Sequence, residues 1–336
     1  MAKDFIYIVE AERPTAIATI EAMVKTGSTH SNRRLQITAA VTSKATPETH
    51  AKLVSLGCNV VEFDETVPAQ IPIGEVHKMM IVLSPERLDA GVAYIEAAKR
   101  ANVPFVLLQS VLLADVRQDY VGKQFAEAEK RLQSLFGKKE CEPQHEKHQE
   151  PTNIKARDNI SQEECISELR KHHQCSHWSV LRVGIYDHYL LALKDCIRKG
   201  VLDLPIGNGK FAPVAVEDVG KAAAHILDKS ENHSEHIYNI TGPELVNGEI
   251  LAKGLTDTLH HQLTYKPTED KNHIAQEHIK KNITSTTEQD NVLELYELVK
   301  QGKLEIISPH FTEIEAFRSK TLEQFFLEHK EELIGA

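Results

Sequence analysis

The stretch FIYIVEAERPTAIATIEAM, residues 5–23, decides the fold. Its first five residues form a continuous apolar run, which is typical of a strand buried on both faces of a parallel sheet. The segment TAIATIEAMVKTG, residues 15–27, keeps its apolar side chains on one helical face and ends at Gly27, a residue suited to a helix C-terminus. The stretch therefore predicts a buried strand followed by an amphipathic helix.

The same unit repeats along the first 110 residues. Such alternation predicts an α/β fold with a parallel sheet that is covered by helices on both faces. A chain of 336 residues suggests about two domains. We expect the first at 1–200 and a smaller α+β portion at 201–336, with a diffuse boundary. The predicted elements are strands at 4–9, 35–41, 58–63, 78–84, 103–109 and 177–186, helices at 120–137 and 160–172, and a mobile polar insertion at 138–159.

Composition excludes several classes of protein. The chain has 39 basic and 49 acidic residues, and its formal net charge of -10 argues against non-specific binding to nucleic acid or to an anionic membrane. Five scattered cysteines do not form a disulfide framework, so we interpret them as thiols. Without a secretory signal or a long apolar stretch, we expect a cytoplasmic or nucleocytoplasmic protein.

Several blocks of sequence resemble the NmrA-like family, a branch of the atypical short-chain dehydrogenase/reductases. They are GCNVVEFDET (57–66), IEAAKRANVPFVLLQSV (95–111), SVLRVGIY (179–186), PIGNGKFAPVAVEDVGKAAAHIL (205–227) and YNITGPE (238–244). The resemblance implies a Rossmann-type, doubly wound sheet with a small C-terminal domain. It also implies either an NAD(P)H-dependent reductase or a non-catalytic protein that senses dinucleotide. Residues 138–159 and about 270–305 match no family pattern.

The loop after the first strand lacks the glycines of a dinucleotide-binding loop. The three glycine positions of the family fall at Glu10, Arg13 and Ala16. Ala16 still permits close packing of helix on strand. Glu10 places a carboxylate where pyrophosphate would lie, and at ~4 Å two unit charges repel by about 4 kcal/mol at an effective dielectric near 20. Arg13 offsets part of this if it pairs with Glu10 or with phosphate.

The second strand should end in a group that reads the adenosine ribose. Here it ends in Thr42, Ser43 and Lys44, of which Lys44 either meets a 2′-phosphate or is a solvated loop residue. Other strand ends should line the remaining pocket. The candidates for the cofactor region are Leu83, Ser84, Gln109 and Ser110, and those for a substrate or partner pocket are Arg182, Gly184, Tyr186 and His188.

The catalytic Tyr-Lys pair of short-chain reductases, four residues apart on one helix, is not matched in the segment where it belongs. Tyr120 and Lys123 lie in that segment but are three apart, whereas Tyr296 and Lys300 have the spacing but lie in the C-terminal helices. Reductases of the isoflavone type use a Lys early in the helix after the fifth strand. Lys123 is the local candidate for that role, the alternative being a solvated helix residue.

A cluster of cysteines and histidines surrounds the polar insertion. Their types and local spacing suit zinc, but 18 histidines make chance clusters common, so a polar insertion without metal is the alternative. No metal is our expectation. The candidate ligands are Cys141, His145, His148, His172, His173, Cys175 and His177.

Together these features favour a regulatory or scaffold protein that binds a protein partner or a small effector and has weak or absent dinucleotide binding. No cofactor is therefore expected. One alternative is an NAD(P)H-dependent reductase of a small carbonyl or aromatic substrate. Another is a non-catalytic NAD(P) redox sensor.

Overall fold

The computed structural model describes residues 3–30, 34–137, 177–268, 279–283, 285–314 and 318–335. The predicted insertion at 138–159 and the predicted helix at 160–172 lie outside these residues.

A seven-stranded sheet has the order β3-β2-β1-β4-β5-β6-β8, and every neighbouring pair in it is parallel. This is the doubly wound Rossmann order, so the predicted fold class is confirmed. Strands β7 and β9 form a separate parallel pair. The strands are β1 Lys3–Val9, β2 Arg34–Val41, β3 Asn59–Glu62, β4 Lys78–Ile81, β5 Phe105–Val111, β6 His177–Val183, β7 Val201–Leu204, β8 His236–Ile240 and β9 Thr264–Pro267.

Helices cover both faces of the large sheet, because its strands are apolar on both sides. They are α1 Pro14–His30, α2 Pro47–Ser55, α3 Ala90–Arg100, α4 Tyr120–Phe136, α5 Lys194–Arg198, α6 Val216–Asp228, α7 Gly248–Leu259, α8 Lys280–Asn282, α9 Thr286–Lys300, α10 His310–Ile314, α11 Leu322–Glu328 and α12 Lys330–Ile334. No described helix is long and apolar enough to cross a membrane.

Helices α1 and α6 pack very closely on one face of the sheet. A Cβ atom at Gly220 of α6 would lie 2.6 Å from the carbonyl carbon of Ala18 in α1, so this contact requires glycine. The face also buries Ile20 and Val219. The opposite face buries Tyr94 of α3 and Phe125 of α4. The two helical layers hold the β1–α1 loop against the carboxyl ends of the strands.

A third apolar cluster lies in the C-terminal part of the chain, around residues such as Leu204, Leu255 and Phe326. The residues of this cluster are not contiguous in sequence. After β7, helix α6 and strand β8 belong to the large sheet and its helical layer. A division at residue 200 would therefore separate β8 from the sheet that it completes. The smaller unit is built from β7, β9 and the helices that contact them, not from one continuous half of the chain.

Candidate active site

The β1–α1 loop turns as a glycine loop would, although it contains no glycine. Glu10 has φ 53°, in the left-handed region that glycine favours. The Arg13 N–H donates to the Glu10 carbonyl at 3.0 Å, and the Ala11 N–H donates to the Ala40 carbonyl at 2.9 Å. Glu10 thus takes the backbone conformation of the missing glycine.

The Glu10 side chain turns beneath the loop and is completely buried. Its carboxylate accepts hydrogen bonds from the Ser84 N–H at 2.8 Å, Arg87 Nη2 at 2.5 Å and the Tyr94 hydroxyl at 3.2 Å. Burial raises the pKa of Glu10, while Arg87 and Arg13 act in the opposite direction. These three partners hold the carboxylate in the protein interior, so its charge is compensated within the chain.

Arg13 and the start of α1 form the upper edge of the site. Arg13 Nη2 donates to Glu86 at 2.8 Å, and its Nε lies 3.7 Å from Glu10. The first turn of α1 contains no acidic residue, and its free N–H groups carry partial positive charge. Ala16 is completely buried within that turn. The arrangement is one that accepts an anion at the helix N-terminus.

Donors at the end of β2 are gathered around two carboxylates. The N–H and hydroxyl of Thr42 donate to Glu12 Oε1 at 3.4 and 2.7 Å. The N–H and hydroxyl of Ser43 donate to Glu65 Oε2 at 3.1 and 2.9 Å, and Lys44 Nζ lies 3.5 Å from Glu65 Oε1. Ser43 and Lys44 therefore already bind an anionic group, supplied by the chain itself.

A cavity of about 130 Å³ reaches from the N-terminus of α1 to helix α9. Of the predicted pocket residues, Leu83, Gln109, Ser110, Gly184, Tyr186 and His188 line it. Ser84 and Arg182 do not. The Ser84 N–H donates to the Glu10 carboxylate. Arg182 forms ion pairs with Glu129 at 2.6 Å and with Asp115 at 3.0 Å. Ser110 also donates its hydroxyl to Glu129, at 2.5 Å.

Four buried polar atoms of the cavity lining have no hydrogen-bond partner among the described residues: Gln109 Oε1, His188 Nδ1, Arg117 Nη1 and Arg13 Nε. Buried polar atoms are normally paired, so such a group of unpaired atoms around one cavity indicates a ligand. Burial lowers the pKa of His188 to about 4, which keeps its imidazole neutral at pH 7. The Tyr186 hydroxyl lies 2.9 Å from Thr15 Oγ1 and accepts from Gln109 Nε2 at 3.0 Å.

The two catalytic candidates do not line this cavity. Tyr120 is 56% exposed, and the exposed Lys123 lies in a separate depression beside Asp115 and Gln118. The apolar spacing of α4 could have shown this, because Val121 and the residues four, seven and eleven places after it define the buried face. Lys123 lies off that face.

The metal candidates give no centre among the described residues. His177 Nδ1 lies 2.7 Å from Ser234 Oγ, and no described group of three potential ligands could hold a metal ion. The other six candidates lie outside the described residues.

The cavity residues that sequence reasoning missed include Arg117, Tyr189, Glu288 and Asn291. Glu288 and Asn291 belong to α9, in the segment that matched no family pattern. A local signal was present, because Ser285 caps α9 by accepting the Glu288 N–H at 3.2 Å, and a Ser three residues before a Glu is a helix-start pattern. That signal predicts a helix, not its position over the cavity.

Comparisons with known proteins show which structures share this fold. No family model and no curated protein sequence matches the chain. Triphenylmethane reductase from Citrobacter sp., solved with NADP(H), matches with a TM-score of 0.72 and 15% identity over 96% of this chain and 99% of that one. An NADPH-dependent quinone oxidoreductase from Escherichia coli, solved with NADPH, matches with a TM-score of 0.70 and 22% identity over 96% and 99%. Isoflavone reductase matches with a TM-score of 0.60 and 16% identity over 97% and 99%. All three neighbours are reductases or oxidoreductases, and two of them hold NADP(H) or NADPH, which is consistent with the resemblance to the NmrA-like family.

The expectation of no dinucleotide cofactor is contradicted by these neighbours, since two of them hold NADP(H) or NADPH on the same fold. That expectation came from the charge of Glu10 at the first glycine position. It treated Glu10 as an uncompensated charge, whereas the structure pairs its carboxylate with Arg87 and Tyr94.

Proposed function

We propose that this protein is an NADP(H)-dependent reductase of a small, uncharged carbonyl or aromatic substrate. The observation that carries the proposal is the cavity at the carboxyl ends of β4, β5 and β6, which has four unpaired polar atoms in its lining and reaches the N-terminus of α1. Ligands of doubly wound folds bind at this edge of the sheet.

The residues present suit a dinucleotide. The acid-free first turn of α1 offers N–H groups to a pyrophosphate, and Arg13 stands beside them with its Nε unpaired. Gln109 Oε1 is an unpaired acceptor at the end of β5, suited to an amide N–H. When bound, the reduced dinucleotide would supply a hydride.

The end of β2 supports NADP(H) over NAD(H). Ser43 offers an N–H and a hydroxyl, and Lys44 offers a positive charge. In the structure all three groups interact with the Glu65 carboxylate. No acidic residue ends β2, where NAD-dependent folds place the acid that reads the ribose hydroxyls. A phosphate in place of the carboxylate would bind the same donors.

The cavity lining suits hydride acceptance by a neutral molecule. Tyr186, His188 and Tyr189 place their rings together, with centroids 5.2 Å apart for the first two and 4.6 Å apart for the last two. Thr15 and Gln109 hold the Tyr186 hydroxyl, which fixes the orientation of its ring. The buried, neutral His188 adds no charge. Most of the remaining lining is aliphatic.

Calorimetric titration with NAD+, NADH, NADP+ and NADPH tests the proposal. We expect micromolar binding of the two phosphorylated forms and at least tenfold weaker binding of the others. Lys44→Ala should weaken NADP+ binding about tenfold and leave NAD+ binding unchanged, since it removes one charge-assisted contact. Lys52→Ala is the matched control, because Lys52 also forms an exposed ion pair, with Glu21, away from the site. No binding of any form would refute the proposal.

A non-catalytic regulatory role is the second candidate. It is favoured by the positions of Tyr120 and Lys123, which leave the cavity without the side chains that the resemblance nominated for catalysis. In that case NADPH would bind without turnover, and the cavity would hold an effector while the surface met a protein partner. Single-turnover mixing of the NADPH complex with conjugated carbonyls separates the two candidates.

A further inference from the structure

A buried guanidinium lies at the end of the cavity next to α4. The Arg117 side chain is 1% exposed and lines the cavity. Its Nε and Nη2 donate to the two oxygens of Asp119 at 2.8 and 2.9 Å, and Nη2 also donates to Asn291 Oδ1 at 3.2 Å. Nη1 has no partner among the residues that the structure describes. One donor of a charged group thus lacks an acceptor at a position that solvent hardly reaches.

The surrounding sequence holds this guanidinium in place. Asp119 is the N-cap of α4 and accepts the Gly122 N–H at 3.0 Å, so the same carboxylate caps the helix and orients Arg117. A Cβ atom at Gly122 would lie 2.2 Å from the Arg117 Cβ, which only glycine avoids. The Arg117 N–H donates to the carbonyl of Leu113, which itself has φ 63°. Three separate features therefore fix one side chain.

The unpaired donor is unfavourable unless a ligand completes it. A buried donor of a charged group that lacks an acceptor loses its hydration without compensation. Such groups are rare in native structures, and a functional role or a bound water or ion is the usual explanation. Asn291 accepts from Nη2 only. Because Arg117 lines the cavity, a ligand bound there is a candidate acceptor for Nη1.

The charges around the cavity define that acceptor. Asp119 already neutralises Arg117 through two hydrogen bonds, and the Glu288 carboxylate lies in the same lining. A carboxylate ligand would meet one cation that is already compensated and a second carboxyl group. A neutral carbonyl oxygen avoids that repulsion and accepts readily from Nη1.

The shape of the cavity points to a conjugated or aromatic carbonyl. Its volume of about 130 Å³ is close to that of a cavity that holds benzene, roughly 150 Å³, so it has room for at least one planar ring. The clustered rings of Tyr186, His188 and Tyr189 offer flat contacts to such a ring.

We propose that Arg117 Nη1 binds the carbonyl oxygen of the substrate and stabilises the negative charge that this oxygen acquires during reduction. The inference rests on the proposed reductase function. The hydride of the reduced dinucleotide forms a C–H bond at the carbonyl carbon, the π pair of the C=O bond moves to the oxygen, and a proton from water completes the hydroxyl. The dinucleotide is oxidised by two electrons. Arg117 keeps its protons throughout and acts as a fixed donor.

Turnover of benzaldehyde to benzyl alcohol by the NADPH complex gives the first test. Arg117→Met keeps the length of the side chain and removes the donors, and we expect kcat to fall about 100-fold, the usual effect of losing one such donor. The Kd of NADPH should change by less than threefold. Arg131→Met, which breaks an exposed pair with Glu96 on the same helix, should leave both unchanged. An equal loss of turnover and of NADPH affinity would show a structural role instead and overturn the inference.

Ligand binding to the wild-type protein gives a second test that needs neither turnover nor a stable variant. Acetophenone and α-methylstyrene have nearly the same shape, but only the first has a carbonyl oxygen. We expect acetophenone to bind at least tenfold tighter and benzoate to bind weakest, measured by competition in ligand-observed NMR. Equal binding of the two neutral compounds would overturn the role of Arg117 even if NADPH binds. Failure of NADPH to bind, with the preference for acetophenone intact, would refute the reductase function alone.

Discussion

The two charges of the buried Glu10–Arg87 pair should depend strongly on each other for the stability of the β1–α1 loop. The Glu10 carboxylate is fully buried and the Arg87 side chain is 13% exposed, with a distance of 2.5 Å between them. Removing one partner of such a pair leaves a buried charge without its counter-charge, which costs about 3–5 kcal/mol. We therefore expect Glu10→Gln and Arg87→Met each to lower the free energy of unfolding by at least ~3 kcal/mol.

The double variant distinguishes a coupled pair from two independent effects. With both charges removed, no buried charge is left alone, so the total loss should be about 3 kcal/mol instead of about 6, a coupling of about 3 kcal/mol. Glu10→Gly should also destabilise, by about 2–3 kcal/mol. It relieves the left-handed backbone by about 1 kcal/mol but loses the carboxylate.

Urea unfolding followed by tryptophan fluorescence measures these values, because the chain has one tryptophan, Trp178, and it is buried in β6. The exposed pair of Arg131 and Glu96 is the control, and its variants should change stability by less than ~1 kcal/mol. Losses that add within ~0.5 kcal/mol in the double variant would refute the reasoning.

Three further predictions follow from other contacts. Glu65→Gln should tighten NADP+ binding about five- to tenfold in calorimetry, because it frees Ser43 and Lys44 from a carboxylate; weaker binding would show that Glu65 supports the site. Burial raises the pKa of Asp187 to about 7, so the ionised form is disfavoured in the folded state and stability is lost as the pH rises from about 4 to about 7. The gain in melting temperature of Asp187→Asn should therefore grow over this range and level off above it, and a gain that is the same at pH 4 and pH 8 would contradict this. Lys123→Ala should leave NADPH turnover within twofold of wild type, since Lys123 lies outside the cavity, and loss of turnover would restore its catalytic role.

Local patterns determined the layout of the fold. Continuous apolar runs and helical periodicity act over five to fifteen residues, so they located β1 to β5 and the helices between them before any contact was known. Because parallel strands present their carboxyl ends at one edge, they also predicted a common location for Gln109 and Tyr186, which both line the cavity. The sequence alone also showed that the loop between β1 and α1 contains no glycine.

Tertiary contacts decided what those residues do. The hydrogen-bond partners of Glu10 lie 74, 77 and 84 residues away in the chain, and Asn291 lies 174 residues from Arg117. No local pattern encodes which way a side chain turns when its partner comes from so distant an element. The sequence by itself therefore determined the sheet, its edge and the loop without glycine. Only the packed structure decided that Glu10 lies under the loop, that Lys123 faces away, and that α9 and Arg117 complete the cavity.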